Sequence, residues 1–417
     1  MDKNIYAKNR IALMKKIENN SIVILFAGNA PKKTGDEVYK FTPNRNFYYL
    51  TGIDEENHII VLSKFNNEVS EKLFLKEIDL AKEMWNGKTL RDDEAKEISA
   101  IEDVVYMNEF HNYLNRLLKG ADEVSLYLDL DREGYNEEDS EGIKFIKIFK
   151  DKYPHVVAKN ISSKIIPLRM IKSKSEIEEM QKAINITIDG VKSLMKNAKP
   201  GMKEYELEAY FDFECKTRGV KDLAFRTIAA AGKNATTLHY VENNSEIKND
   251  ELILFDLGAQ WNYYNADITR TFPANGKFTE RQKEVYESVL RVNKAVIEKI
   301  KPGVVYNELN AWATDLIADE CIKLGIIKEK KEVSKYYWHS IGHNLGLDTH
   351  DVEPQGRNFI FEEGMVFTVE PGIYIGEEGI GVRIEDDVLV TADGCEILTK
   401  NMIKEVDDIE EFIKNNK

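Results

Sequence analysis

Hydrophobic residues early in the chain form short runs that alternate with amphipathic stretches. Runs rich in Ile, Val, Leu, Phe and Tyr, bounded by polar residues or glycine, predict strands at Ser21–Phe26, Asn46–Leu50, His58–Leu62, Lys72–Leu75 and Val124–Leu130. The stretches between them have helical spacing and predict helices at Asp79–Trp85, Asp92–Ser99 and Glu109–Leu118. This alternation predicts an N-terminal α/β domain, which we expect to cover residues 1–165.

The rest of the chain, residues 166–417, begins with a long amphipathic pattern. A capping box of Ser175 and Glu178 predicts the start of a helix. Its apolar residues recur every three or four positions, as Ile177, Met180, Ile184, Ile188, Val191 and Met195. The sequence Lys-Pro-Gly at 199–201 predicts its end.

The same order of features occurs a second time. A capping box of Thr279 and Gln282 precedes another apolar stripe, which Lys-Pro-Gly at 301–303 ends. In both passages a helical stretch follows, and then a β segment that ends in an acid, Asp256 in the first and Glu370 in the second. The repetition predicts two related halves with a site at their interface.

Composition narrows the class of protein. Among 417 residues, 73 are acidic and 58 basic, and the net charge of −15 disfavours nucleic acid and anionic membranes as partners. No apolar run approaches the ~20 residues of a membrane span. The cysteines, Cys215, Cys321 and Cys395, are three in number and far apart, which is atypical of a disulfide framework. We therefore expect a globular protein of the cytoplasm.

Two acids flank a predicted hairpin in the first half. Asp256 and Asp267 are symmetric about Trp261 and Asn262. A two-residue loop at that pair would place the two carboxylates directly opposite each other, with Cβ atoms ~4.5–5.5 Å apart. Because Trp261 is a poor turn residue, a longer or bulged loop is the alternative.

Two glutamates repeat this arrangement in the second half. Glu370 and Glu385 are symmetric about Glu377 and Glu378. Pro371 cannot donate to a strand ladder, so we expect a bulge or a sheet edge there. Carboxylates held this close repel each other and usually share a proton or bind a metal.

Histidines accompany the acids. Four of the seven lie in two short passages, at His239 and at His339, His343 and His350. Four carboxylates and an imidazole would form an oxygen-rich shell for two divalent ions. Mn²⁺ fits this shell best, with Zn²⁺, Co²⁺ and Fe²⁺ as alternatives.

The set Asp256, Asp267, His343, Glu370 and Glu385 resembles the five metal ligands of the methionine aminopeptidase/prolidase/aminopeptidase P superfamily. The supporting sequences are DLGAQWNYYNADITRTF, IGHNLGLDTHD, FTVEPGIYI and GVRIEDDVLVT, and FTPNRNFYYLTGIDE is similar to the N-terminal domain of aminopeptidase P. The resemblance implies an α+β protein, with an N-terminal α/β domain followed by a pita-bread domain. In that domain, two pseudo-symmetric halves would hold a dimetal centre.

The resemblance also implies residue roles. Asp267 and Glu385 would contact one or both ions, Asp256 would bind one of them, and His343 and Glu370 would bind the other. A water or hydroxide bridging the ions would be the nucleophile, with Glu370 as its proton acceptor.

Further residues would serve the substrate. By the same resemblance, His239 would hydrogen-bond the substrate, His350 would lie beside the scissile carbonyl, and His339 would line a pocket for proline. Strand alternation places Arg383 on the face of Glu385 and Tyr374 on the face of Glu370, where we expect both to orient ligands or meet the substrate.

The implied activity is that of an Xaa-Pro aminopeptidase, acting on peptides with a penultimate proline. Prolidase, which cleaves Xaa-Pro dipeptides, is the alternative enzyme, and a metal-free binding module is the alternative from another class. The resemblance further implies a homodimer or homotetramer. Trp85 is similar to a family tryptophan that can reach a neighbouring subunit, with core packing as the alternative.

Overall fold

The computed structural model describes residues 4–132 and 134–416. It consists of two compact units, the first ending at Arg169 and the second beginning at Met170. Among the described residues, none of the helices has both the length and the apolarity needed to cross a membrane.

The first unit is built on one mixed sheet. Its helices are α1 (Asn4–Lys16), α2 (Arg45–Thr51), α3 (Leu80–Asn86), α4 (Asp92–Ser99), α5 (Phe110–Leu118), α6 (Glu141–Lys152) and α7 (Ser162–Met170). Its strands are β1 (Ser21–Phe26), β2 (Lys32–Thr34), β3 (Glu37–Val38), β4 (Ile59–Phe65), β5 (Glu68–Leu75), β6 (Val104–Tyr106), β7 (Val124–Leu128) and β8 (Val156–Asn160). The sheet order is β6-β5-β4-β1-β7-β8. Strand β1 pairs antiparallel with β4 and parallel with β7.

The core of this unit lies between the sheet and its helices. Ile24 of β1 and Phe74 of β5 belong to one buried cluster with Phe110 of α5 and Phe149 of α6. The predictions of a strand at Ser21–Phe26 and of a helix at Asp92–Ser99 are confirmed without change, and most other predicted elements of this unit differ from the structure only at their ends.

One predicted strand of the first unit is wrong. Asn46–Leu50 lies within helix α2. The Asn44 side chain accepts from the Phe47 N–H and caps the helix start, while Gly52 ends the helix in a left-handed conformation with φ of 71°. The aromatic residues suggested a strand because they favour β structure, but here they are buried on a short helix.

The second unit contains two helix pairs followed by small sheets. Its helices are α8 (Lys174–Asn197), α9 (Glu204–Thr217), α10 (Glu280–Lys299), α11 (Tyr306–Lys323) and α12 (Val406–Asn416). Its strands are β9 (Asp222–Leu223), β10 (Ile228–Ala231), β11 (Leu252–Leu257), β12 (Ala259–Trp261), β13 (Tyr264–Asn265), β14 (Ile268–Pro273), β15 (Val366–Val369), β16 (Gly372–Ile375), β17 (Ile380–Arg383), β18 (Asp386–Val390) and β19 (Cys395–Ile397). Short 3₁₀ helices occur in this unit at Gly232–Thr236 and Lys330–Lys335, and in the first unit at Met107–Glu109.

The two helix pairs show the predicted repetition. A capping box of Thr279 and Gln282 starts α10, as predicted. The box that starts α8 is Ser173 with Glu176, so the prediction of Ser175 with Glu178 is wrong. Both serines have a glutamate three residues later. The earlier pair forms because Glu176 is buried, where its carboxylate accepts from the Ser173 N–H and from the Tyr264 hydroxyl.

Each helix pair precedes a three-stranded sheet. The first half has the order β10-β11-β14, and the second half has the order β15-β18-β19. The acids singled out in the sequence lie on these strands or directly beside them. Each half therefore contributes one pair of acids, Asp256 with Asp267 from the first and Glu370 with Glu385 from the second.

Candidate metal centre

All five predicted ligands line one cavity of the second unit, with a volume of about 610 Å³. Asp256 lies on β11 and Asp267 directly before β14. Glu370 follows β15 and Glu385 precedes β18, while His343 lies in the irregular chain between Lys335 and β15.

The aspartate hairpin turns one residue later than predicted. Asn262 and Tyr263 have positive φ angles of 47° and 66°, as in a type I′ turn, and Asn tolerates this conformation well. In the resulting register Asp256 pairs with Thr269, so the prediction that it directly opposes Asp267 is wrong. Asp267 is instead a diagonal neighbour two residues along the same face.

The glutamate hairpin has the predicted register. Gly372 pairs with Arg383, and Val369 pairs with Asp386. Both pairs are symmetric about the predicted turn. Because the register does not shift across Pro371, the predicted bulge is wrong; β16 pairs with β17 alone in its sheet, as the edge alternative required.

Three of the predicted ligands form a tight group. Side-chain ligand atoms of Asp267, His343 and Glu385 all lie within 4.8 Å of one another. The His343 Nε2 atom is 3.5 Å from Asp267 Oδ2 and 3.7 Å from Glu370 Oε1. Carboxylates at this spacing around an imidazole nitrogen are suited to a divalent cation.

The hydrogen bonds leave the ligand atoms available. His343 Nδ1 lies 3.0 Å from the Asn344 carbonyl, which can only accept, so Nδ1 carries the proton and the Nε2 lone pair faces the carboxylates. The Oδ1 atoms of Asp256 and Asp267 are buried without a hydrogen-bond partner. Buried oxygens of this kind cost free energy unless a cation or proton compensates them, so the residues fit a metal site.

The surroundings favour the protonated form of several acids. Burial, followed by repulsion from Asp256, raises the pKa of Asp267 well above its ordinary value. Burial also raises the pKa of Glu385 well above its ordinary value, with a further contribution from Asp267. For Glu370, burial raises the pKa to about 6. The cluster thus holds protons that a bound cation would displace.

We expect divalent cations to stabilise the protein more at pH 7.5 than at pH 5. The raised carboxyl pKa values make the metal-free fold lose stability as the pH rises through them, since the folded state binds more protons than the unfolded state. A fixed Mn²⁺ concentration, about 100 times the Kd at pH 7.5, should raise the Tm by roughly 5–10 °C at pH 7.5 and by less at pH 5. Thermal scans with Mn²⁺ or chelator at both pH values test this, and an equal or larger shift at pH 5 would contradict it.

The predicted substrate residues face the same space. His239, His339, His350 and Arg383 line the cavity together with the ligands. The His350 ring lies edge-on to the His343 ring, with 4.4 Å between centroids. Burial lowers the pKa of His350 to about 4, and the His343 ring adds to this effect. The imidazole of His350 is therefore neutral at neutral pH.

A hydrogen-bond chain fixes the proton positions at His339. Its Nδ1 must donate to the Ser340 carbonyl at 2.8 Å, so its Nε2 accepts from the Tyr374 hydroxyl at 2.8 Å. That hydroxyl in turn accepts from Arg383 Nη1 at 3.0 Å. Burial lowers the pKa of His339 to about 3, which agrees with a neutral ring.

Tyr374 and Arg383 differ in what they reach. Arg383 Nη2 donates to Asp256 Oδ2 at 2.6 Å and orients that carboxylate. Tyr374 is buried and is not among the residues that line the cavity. Its hydroxyl lies behind His339 and Arg383, where it positions both.

The sequence interpretation missed two polar residues that support the ligands. The Thr269 hydroxyl donates to Glu385 Oε2 at 2.7 Å and accepts from Arg383 Nε at 3.1 Å. Asp387 Oδ2 accepts from the Asp267 backbone N–H at 3.3 Å. Both follow a ligand by two residues, so strand alternation was the signal that could have identified them.

Comparison with known proteins identifies the family. Residues 178–392, just over half of the chain, match the model of metallopeptidase family M24. The chain belongs to metallopeptidase family M24. Residues 6–127 match the N-terminal domain of aminopeptidase P. Metallopeptidase membership agrees with a site for divalent cations at the observed group of acids and histidine.

Relatives within the M24 family cover nearly the whole chain. An Xaa-Pro aminopeptidase of Haemophilus influenzae is 34% identical over an alignment of 430 positions, which covers 99% of this chain and 98% of the relative. A solved structure from Bacillus anthracis, provisionally assigned as an aminopeptidase P, is 48% identical with a TM-score of 0.97 and covers 100% of this chain and 99% of that one.

A second solved structure adds a bound ligand. Aminopeptidase P from E. coli with the inhibitor Pro-Leu is 31% identical with a TM-score of 0.92 and covers 100% of this chain and 99% of that one. These matches confirm the predicted α+β fold, with an aminopeptidase P N-terminal domain followed by an M24 domain of the pita-bread type.

Proposed function

We propose that this M24 metallopeptidase is an Xaa-Pro aminopeptidase, which hydrolyses the bond between an N-terminal residue and a penultimate proline. One observation carries the proposal: the four acids and the imidazole of His343 converge on a single cavity that His239, His339 and His350 also line. The relatives named Xaa-Pro aminopeptidase share both domains of the chain, which supports the same activity here.

We propose two divalent ions, with Mn²⁺ as the native metal. Four carboxylates and one imidazole offer more ligand atoms than one ion requires, and oxygen donors with one nitrogen suit Mn²⁺. Bound there, the ions would supply a water of lowered pKa and would polarise the scissile carbonyl. Asp256, Asp267, His343, Glu370 and Glu385 would hold them.

Glu370 is the residue best placed to move the proton. Its Oε1 lies 3.7 Å from His343 Nε2, and its Oε2 lies 3.7 Å from His339 Nδ1. A carboxylate between the metal-binding imidazole and the ring that faces the proline is within reach of both the attacking water and the leaving nitrogen. It would accept the proton of the attacking water and return it to the leaving nitrogen.

His239 and His350 would stabilise the charge that develops on the carbonyl oxygen. A neutral imidazole can donate one hydrogen bond from a fixed N–H without carrying charge into the cleft. His350 meets this requirement because its pKa is lowered to about 4. Donors aimed at a developing oxyanion are among the largest contributions to peptide-bond hydrolysis.

Proline explains the shape of the site near His339. The tertiary amide of Xaa-Pro has no N–H and carries a rigid ring, so it needs a fitted surface rather than a backbone hydrogen bond. His339 packs against Tyr337 with 4.6 Å between ring centroids, and its nitrogens are both engaged. A ring with no free polar atom suits an apolar pyrrolidine.

A comparison of substrate lengths distinguishes the two candidate enzymes. We expect the Mn²⁺-loaded protein to hydrolyse Xaa-Pro-Yaa tripeptides and longer peptides, with kcat/KM at least about 10-fold above that for the matching Xaa-Pro dipeptide. Peptides with alanine in place of proline serve as the control. Hydrolysis confined to dipeptides would favour prolidase, and no hydrolysis of either would favour a binding module.

We also propose a homodimer or homotetramer in the cytoplasm. No residue of α3 is buried, and Leu80, Met84 and Trp85 are exposed there, with 89% of Trp85 accessible. Core packing of Trp85 is therefore wrong, and contact with a second copy is the alternative that its exposure supports. Light scattering of the wild type and a Trp85→Ala variant tests the oligomer.

A further inference from the structure

One buried carboxylate outside the cavity has all of its acceptor positions used. Glu204, the first residue of α9, has no exposed surface. Its Oε1 accepts from the Ala231 backbone N–H at 2.8 Å and from Asn234 Nδ2 at 2.9 Å. Its Oε2 accepts from the Tyr240 hydroxyl and the Ser245 backbone N–H, both at 2.9 Å. Every partner belongs to the stretch 231–245.

That stretch carries His239. The imidazole is exposed and lines the cavity, and residues 237–244 form neither helix nor strand. Tyr240, whose hydroxyl binds Glu204, is the next residue after His239. Leu238 and Val241 pack against a small buried cluster on either side. Side-chain contacts rather than a strand ladder therefore decide where the imidazole lies.

A second acid on the same face of α9 adds to this attachment. Glu208 lies one turn after Glu204, and its Oε2 accepts from Asn243 Nδ2 at 2.9 Å. Asn243 is buried with a positive φ of 47° and also donates to the Thr227 carbonyl at 2.8 Å. Two acids of one helix thus bind the segment on the C-terminal side of His239.

We propose that Glu204 is a positioning residue that holds the His239 segment at the distance from the metal-binding acids that hydrolysis requires. This inference rests on the proposed function. Glu204, at the start of α9, accepts four hydrogen bonds from residues on both sides of His239. These bonds would fix the position of the exposed imidazole without contacting it. Glutamine has one acceptor oxygen and an NH₂ group, so at position 204 it would leave buried donors unpaired and release the segment.

The first test compares Glu204→Gln with a matched control. We expect Glu204→Gln to lower kcat/KM for an Xaa-Pro-Yaa tripeptide by about 10- to 100-fold, since displacement of a catalytic group by about 1 Å has effects of this size. Bound Mn²⁺ should remain at the wild-type amount, and amide exchange at 237–245 should become faster. Glu242→Gln removes the same charge from an exposed position of the segment and should retain wild-type activity and exchange.

The second test measures coupling to His239. In a His239→Ala background, Glu204→Gln should change kcat/KM by no more than about twofold, because the group that Glu204 positions has been removed. A residue needed only for folding would cause the same loss in both backgrounds. Tyr240→Phe removes a single donor. It should lower kcat/KM by about 3- to 10-fold in the wild-type background and have little effect in the His239→Ala background, so it tests the positioning role if Glu204→Gln does not fold.

The outcomes separate this inference from the proposed function. Equal losses in both backgrounds, or full activity of Tyr240→Phe and Glu204→Gln, would overturn the positioning role. Absence of Xaa-Pro hydrolysis by the wild type would overturn the proposed function, and this inference with it. Loss of bound Mn²⁺ in Glu204→Gln would also overturn the positioning role, because it would assign Glu204 to the metal centre instead.

Discussion

Replacing His343 with alanine is expected to lower kcat/KM for Xaa-Pro peptides by about a thousandfold or more. His343 supplies the imidazole nitrogen that faces Asp267 and Glu370 at 3.5 and 3.7 Å. Without it, the group of acids lacks the imidazole nitrogen that would bind a cation with them. Bound metal ions contribute several kcal/mol to the stabilisation of the transition state in hydrolyses of this kind. Steady-state kinetics after dialysis against chelator and metal repletion measure the loss.

The control for this variant is His155→Ala, which removes an exposed histidine of the first unit. We expect it to retain full activity and full metal content. The His343→Ala protein should keep a wild-type circular dichroism spectrum, because the imidazole Nδ1 donates to the carbonyl of the adjacent residue, Asn344. Full activity of metal-repleted His343→Ala would remove this residue from the mechanism.

Glu370→Gln is expected to lower kcat by about 10²- to 10⁴-fold, the range typical of losing a general acid–base. Glutamine has nearly the same size but cannot accept a proton at neutral pH. The loss should appear in kcat more than in KM, because substrate contacts remain. Single-turnover kinetics measure the chemical step alone, and comparison with steady-state kcat distinguishes slower hydrolysis from slower product release.

Glu377→Gln provides the matched control, since it makes the same change at an exposed turn residue of the same hairpin. Its kinetics should equal those of the wild type. If Glu370→Gln lost metal completely, the variant would report on ligation rather than proton transfer. Metal analysis of both variants therefore accompanies the kinetics, and wild-type kcat in metal-loaded Glu370→Gln would contradict the assigned role.

The pattern of the sequence was sufficient for the two-domain architecture and for the glutamate hairpin. The turn at Glu377 and Glu378 lies where symmetry predicted it, because glycines flank a polar pair and the strands on both sides are apolar. The capping box of Thr279 and Gln282 was equally clear, since no second Ser or Thr competes nearby. Local chemistry decided these elements, and local chemistry is visible in a sequence.

The errors share a physical cause. Symmetry placed the aspartate turn at Trp261 and Asn262, whereas backbone preference places it at Asn262 and Tyr263, where both residues have positive φ. Helix α2 was missed because its aromatic residues favour strands in isolation, and its caps at Asn44 and Gly52 outweigh that preference. In each case the turn or capping residues decided the local structure, and neither the symmetry of the acids nor the hydrophobic pattern takes account of them.

The supporting residues of the site were the least predictable. Glu204 lies far along the chain from the four acids of the cavity, and its proposed role is apparent only from its burial and its four partners. Strand alternation predicted Tyr374 on the face of Glu370, and the structure places its hydroxyl behind His339 and Arg383. A sequence indicates which residues share a face; it does not indicate which of them are covered by others.

The central claim is that five side chains bind a pair of divalent cations, and anomalous diffraction tests it most directly. Crystals grown with Mn²⁺ should show two peaks roughly 3.5–4 Å apart, the usual spacing of dinuclear centres. Both peaks should lie among the carboxylates of Asp256, Asp267, Glu370 and Glu385, with one next to His343 Nε2. A map with no peak in this cavity at saturating Mn²⁺, or with peaks bound only elsewhere, would contradict the claim.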